Sequence, residues 1–202
     1  MPQRNNPRHA LAQTYTRRHR PATHCHREHS RAGGERSALF EELVSLAGDE
    51  DGTVAWHAAW ALEQVSRRRP ELLERYREEI SRRAVTEPRH GVQRLLLSIV
   101  NRMPMPADID TELFDFCLEG MHSPRLSIAV RALCIKIACR ICVLHKPLAE
   151  ELRLHLEYGD EESLPTGVAT ARRNALRELE RLRNKEKDKK GLTKQKICFQ
   201  TI

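Results

Sequence analysis

The chain has 202 residues, 40% of them hydrophobic, and a formal net charge of +7, which suits one domain with a real core once the ends are set aside. The charge is uneven: residues 1–34 hold +6, residues 184–202 hold +4, and residues 35–183 are left at −3. The basic excess therefore belongs to the ends, and the pI near 9.3 is no argument that the middle binds nucleic acid. No stretch approaches the roughly 20 apolar residues needed to span a bilayer, which excludes a membrane-spanning class, and the start lacks the apolar run of a secretory signal.

Residues 1–34 contain seven Arg, five His and one acid, Glu28, with almost no aliphatic pattern. Such a segment cannot repay the entropy of its own ordering, so it reads as disordered. Its run His24-Cys25-His26, with His29 after it, has metal-binding chemistry but no imposed geometry, and casual affinity is the expectation.

From residue 36 onward apolar residues recur at steps of three and four, and no segment sustains a period of two, so helices are expected and strands are not. The first helix is expected over Ser37 to Ala47, with Leu39, Phe40, Leu43, Val44 and Leu46 as its stripe. The second opens after Asp51-Gly52, places Val54, Ala55, Ala58, Ala59, Leu62 and Val65 inward, and stops at Pro70. Trp56 and Trp60 lie one turn apart on it and are read as core, filling the space between the first two hairpins. A third helix starts at Pro70, carries Leu72, Leu73, Tyr76 and Ile80, and ends before Pro88.

The fourth helix spans Val92 to Arg102 and is closed by Met103-Pro104-Met105-Pro106. The fifth, Ala107 to Met121, carries Ile109, Leu113, Phe114, Phe116, Cys117 and Leu118. Ser123-Pro124 then opens the most apolar segment, Arg125 to His145, expected to be almost wholly buried. Cys134, Cys139, Cys142 and His145 fall along it. A zinc site there would need a further ligand such as Cys117 and a backbone knuckle that a regular helix resists, so packing is the reading and no metal is expected. A seventh helix spans Pro147 to Tyr158, and an eighth spans Gly167 to Arg183. Residues 184–202, with six of the eight Lys, read as a frayed end and a tail.

Eight helices make four hairpins, and each second helix opens on a β-branched residue: Val54, Val92, Ile128 and Val168, spaced by 38, 36 and 40 residues. One two-helix unit per period marks an α-solenoid, because a hairpin can bury its apolar face only against its neighbours. A globular bundle of four hairpins is the alternative. The second helices carry Asp51, Val54, Ala58 and Leu62, then Gly91, Val92, Leu96 and Ile99. The third set is Ser123, Ile128, Ala132 and Leu133, and the fourth is Gly167, Val168, Ala171, Ala175 and Leu176. This pattern resembles the inner helices of HEAT repeats, over about residues 36–183. The resemblance implies an all-α fold, a right-handed α-solenoid, with second helices lining a concave surface.

Charge sorts with that division. The fifth helix has Asp108, Asp110, Glu112, Asp115 and Glu119 with no basic companion, and the sixth has Arg125, Arg131, Lys136 and Arg140 with no acid. The resemblance then implies a mildly basic concave face made by Arg94, Arg131, Lys136, Arg140, Arg172, Arg173 and Arg177, suited to an acidic peptide or protein partner. A solvated face kept for solubility is the plainer account of the same charges. The function expected is a non-catalytic interaction or scaffold module without a cofactor, in the cytoplasm, since six Cys with three in one apolar helix suggest a reducing compartment.

Two other classes stay open. Nucleic acid is a possible ligand of the basic ends, or of the inner face as in HEAT-like readers of alkylated DNA, where Trp56, Trp60 and Asp51 would be the recognition residues. A lyase resembling adenylosuccinate lyase is the other, but its Gly-Ser-Ser…Met-Pro-x-Lys loop is absent and the chain is short for that long-helix core. There is also no Gly-Lys-Ser/Thr phosphate loop, no Gly-flanked Ser nucleophile and no His-Glu-x-x-His helix.

Overall fold

In the computed structural model residues 31–158 and 164–199 are described, with side chains for 38–158 and 164–185. The described residues hold eight α-helices, two short 3₁₀ stretches and no strand, an all-α helical-repeat fold. They fall into two compact units, Met1–Pro104 and Met105–Ile202, each with its own core.

Small residues govern the first unit. Helix α1 (Arg31–Leu46) packs on α2 (Gly52–Arg68), and α2 packs on α4 (His90–Arg102). Ala55, Ala58, Ala59 and Ala61 of α2 are all 0% exposed, so the neighbouring helices approach its backbone closely. Asp51 caps α2, its carboxylate accepting from the Thr53 N–H at 2.8 Å, and satisfies one of the first-turn donors that a helix leaves open.

The third helix is not continuous as expected. Pro70–Tyr76 is a 3₁₀ stretch, and only Arg77–Thr86 is α-helical (α3). Three residues per turn set Leu73 and Tyr76 on one side, where both are buried and Tyr76 meets Phe40 edge-on at 6.5 Å, whereas Leu72 is turned out. Helix α3 packs on α4, and Leu62, Leu73, Ile80, Leu96, Leu97, Ile99 and Met103 are fully buried.

In the second unit α5 (Thr111–Gly120) packs on α6 (Ile128–Leu144), α6 on α7 (Ala149–Glu157) and most extensively on α8 (Thr166–Phe199). Asp110 caps α5 by accepting from the Leu113 N–H at 3.0 Å, and Ser127 caps α6 by accepting from Val130 at 3.3 Å. Both caps shorten the helices expected from the sequence, and Ile109, now ahead of its cap, is exposed. Lys146–Leu148 is 3₁₀, because Pro147 has no N–H for a continued α-helix.

Helix α6 is less buried than its composition suggests. Val130, Cys134, Ile137, Ala138, Ile141 and Cys142 form the inner stripe, while Ile128, Val143 and Leu144 at its two ends are exposed. Gly120 lets α5 and α6 close up: a Cβ there would lie 3.1 Å from both Cys134 Sγ and Leu126 Cδ1.

Both chain ends differ from expectation where they are described. Helix α1 begins at Arg31, inside the segment read as disordered to residue 34, and the expected disorder of residues 1–30 lies outside the described residues. Helix α8 runs to Phe199, through the Lys-rich segment read as a tail. No helix among the described residues is long and apolar enough to cross a membrane.

Candidate interaction surfaces

The first unit presents an aromatic step. Trp56, read as core from the sequence, is 39% exposed, and Trp60 is half-buried. The two indoles stack at 6.2 Å with planes 6° apart, and the His57 ring meets Trp56 edge-on at 5.2 Å. The correction has a simple cause: the alanines and Val54, Leu62 and Val65 already fill the inward arc of α2, and two indoles at i and i+4 share the side left over.

Gly91 of α4 lies against the same step, a Cβ on it falling 3.6 Å from Trp56 Cδ1. The amino-terminal turns of α2 and α4 are therefore side by side. Arg94, one turn beyond Gly91, is exposed and makes no ion pair among the described residues. Asp51 is committed to its cap at the start of α2.

Two turns along α2 from Trp56 lies a buried carboxylate that sequence reasoning missed. Glu63 is buried in α2, and its oxygens accept from Arg67 Nε at 2.9 Å and Gln64 Nε2 at 3.0 Å. It also pairs with Arg102 Nη1 of α4 at 2.8 Å. Glu63 falls by helical register on the Trp56 side of α2, seven positions on, and only the fold shows that Arg102 comes across to meet it there. Glu87 is the second buried acid. Burial works to raise its pKa, but the Arg89 guanidinium and N–H outweigh this and hold the carboxyl below the usual range. Arg89 in turn donates to the Asp49 carbonyl at 2.9 Å, tying the α3–α4 turn to the α1–α2 turn.

The basic residues of the second unit do not gather on one side. Arg131 and Arg140 are nine positions apart on α6, about half a turn round at 100° per residue, and so leave from opposite sides. Arg131 donates Nε to the Met121 carbonyl at 3.1 Å, closing the end of α5. Arg140 is half-buried, and burial lowers its pKa. Lys136 is exposed. On α8, Arg173 and Arg177 share an exposed side and bond to Thr170 and Asn174, whereas Arg172 is turned inward and only 9% exposed. Opposite in sign, Glu112, Asp115 and Glu119 fall on one side of α5, exposed and without ion pairs among the described residues.

The cysteines of α5 and α6 are interior groups. Burial pushes the Cys139 thiol up to about 11 and the Cys142 thiol up to about 12, and Cys117, buried against Cys134, is also raised. Thiols so placed are poor thiolates and hence poor nucleophiles or ligands. His24, Cys25, His26 and His29 lie outside the described residues.

No curated protein and no solved structure matches this chain. A family model described as HEAT repeat domain matches residues 13–179, beginning ahead of the domain start expected near residue 36. That match spans most of the chain and coincides with the paired, capped helices described above, and the chain belongs to the HEAT repeat domain family.

Proposed function

We propose that this chain is a non-catalytic protein-interaction module that takes an acidic peptide or protein segment on its helical surface. HEAT repeats commonly serve as interaction scaffolds. The observation that carries the reading is the exposed Trp56–Trp60 stack: an indole kept at the surface forgoes burial energy, and Trp dominates the few residues that supply most binding energy at interfaces. Arg94 beside the step supports an acidic partner, because a rim cation adds rate and selectivity for negative segments.

A nucleic-acid reading draws on the same stack, since any base offers a flat face to an indole. It is weaker because Asp51, the acid that base recognition would use, is held in its cap. The test is to pan a random peptide library against the full chain and, in parallel, to titrate it with single-stranded and duplex DNA. The reading expects acidic peptides with an apolar anchor, bound about tenfold or more weaker by W60A and R94E, in line with hot-spot truncations. DNA affinity that survives replacement of Lys185, Lys187, Lys189 and Lys190 by Gln but fails in W56A, with no peptide selected, refutes it.

A further inference from the structure

The geometry points to an oxyanion-binding site in the second unit, formed by Arg172, Arg131, His122 and His155 from four separate elements. His122 stands in the turn after α5, held by its N–H to the Glu119 carbonyl at 3.2 Å. His155 belongs to the last turn of α7, with its ring 5.7 Å from that of His122, and Tyr158, just past α7, meets the His122 ring edge-on at 5.8 Å. Arg131 is oriented from α6 by its bond to the carbonyl of Met121, the neighbour of His122. Arg172 enters from the second turn of α8, close enough for its charge to act on His122.

This group of side chains lacks the acceptors that it would normally have. Nε and Nη1 of Arg172 are buried without an acceptor, and so is Nε2 of His122. Neither Arg131 nor Arg172 makes an ion pair among the described residues. A guanidinium removed from water must be repaid by an anion or by several acceptors, and buried polar atoms are almost always paired. The imidazole of His122 shows the same imbalance: burial first, then charge on His155, Arg131 and Arg172, hold its pKa below the usual range against the opposing pull of a hydrogen bond to the His155 backbone. One tetrahedral or planar oxyanion would supply acceptors for both orphaned nitrogens of Arg172 and offset the two guanidinium charges, and would hold a proton on His122 Nε2 facing it. The chemistry fits a phosphate or a carboxylate, free or carried on a larger molecule. The site is independent of the function proposed above, whose residues all lie in the first unit.

The experiment titrates the full chain with sodium phosphate against sodium chloride at equal ionic strength, following the thermal midpoint and the histidine ring resonances by NMR. Phosphate alone should raise the midpoint and shift the His122 and His155 rings. R172M should raise the half-saturating phosphate concentration at least about tenfold, the loss expected for charged hydrogen bonds, and R172K should fall between. H155F serves as a second variant at a half-buried position should R172M fail to fold, and it too should weaken the response. Competition by phenyl phosphate would identify a phosphate monoester as the natural group, and competition by succinate a carboxylate. Identical responses to phosphate and chloride, or wild-type titrations by R172K and H155F, overturn the proposal. So does a chain carrying D160N, E161Q and E162Q that is destabilised as R172M is while phosphate affects neither, for then the chain's own acids are the partners.

Discussion

Replacing Glu63 by Gln tests whether a buried charge pins the two hairpins of the first unit together. The side chain of Glu63 is 4% exposed, that of Arg67 58% and that of Arg102 32%. The Arg67 contact is an i,i+4 pair with a solvated cation and should contribute about 0.3–0.5 kcal/mol. The Arg102 contact joins α2 to α4. A hydrogen bond to a charged group contributes about 1.5–3 kcal/mol, which partial exposure of Arg102 reduces to about 1–2. Arg102 keeps its bonds to the Ser98 carbonyl and hydroxyl at 3.2 and 2.7 Å when Glu63 is lost, so it is not left stranded, and E63Q should cost about 1.5–2.5 kcal/mol in all. Both tryptophans of the chain lie on α2, so their fluorescence during urea unfolding reports on this unit. A cycle of E63Q, R102Q and the double variant should give a coupling of about 1 kcal/mol at unchanged urea dependence. Additivity within about 0.3 kcal/mol would refute the reasoning, because the pair would then be adjacent without being linked.

Three further outcomes follow from particular contacts. G120A should destabilise the second unit by about 1–3 kcal/mol, since the new methyl meets Cys134 Sγ and Leu126 Cδ1 at 3.1 Å, and C134A should restore much of the loss; far-ultraviolet dichroism during denaturation measures both. Glu87 titrates lower in the fold than in the unfolded chain. Its contribution is therefore full above the ordinary carboxylate value near 4.5 and is lost as pH falls through the folded value, so E87Q should flatten the acid limb of the stability–pH curve. Finally, Cys139 and Cys142 should resist alkylation at pH 8 until the chain is unfolded, read by peptide mass spectrometry, and rapid labelling in the native state would contradict their burial.

What the sequence discloses here is periodicity and punctuation. Asp51, Asp110 and Ser127 stand just ahead of apolar runs, and all three cap the helices that follow. The spacing of Val54, Val92, Ile128 and Val168 exposes the hairpin repeat, because one unit recurs whole. What it hides is the angle at which a side chain leaves a helix relative to the neighbours it meets. Trp56 reads as core by size, yet the alanines beside it occupy the buried arc; Leu72 reads as core by helical step, yet a 3₁₀ turn has a different step. Arg131 and Arg140 look alike in composition and leave α6 on opposite sides. The meeting of His122, His155, Arg131 and Arg172 has no local signature at all, since each comes from a different element and none is spaced to suggest the others.

The alanine face of α2 also bears on how this protein can vary. At Ala55, Ala58, Ala59 and Ala61 every added carbon has to displace a neighbouring helix, so these four positions accept glycine at a propensity cost near 1 kcal/mol and little that is larger. A saturation library should therefore show one helix with two mutational regimes a single residue apart: near-total intolerance of size at Ala55, and broad tolerance for folding at Trp56. Loss of binding without loss of fold at Trp56 would then separate, inside one turn of helix, the residues that hold the repeat together from those left free to acquire new partners.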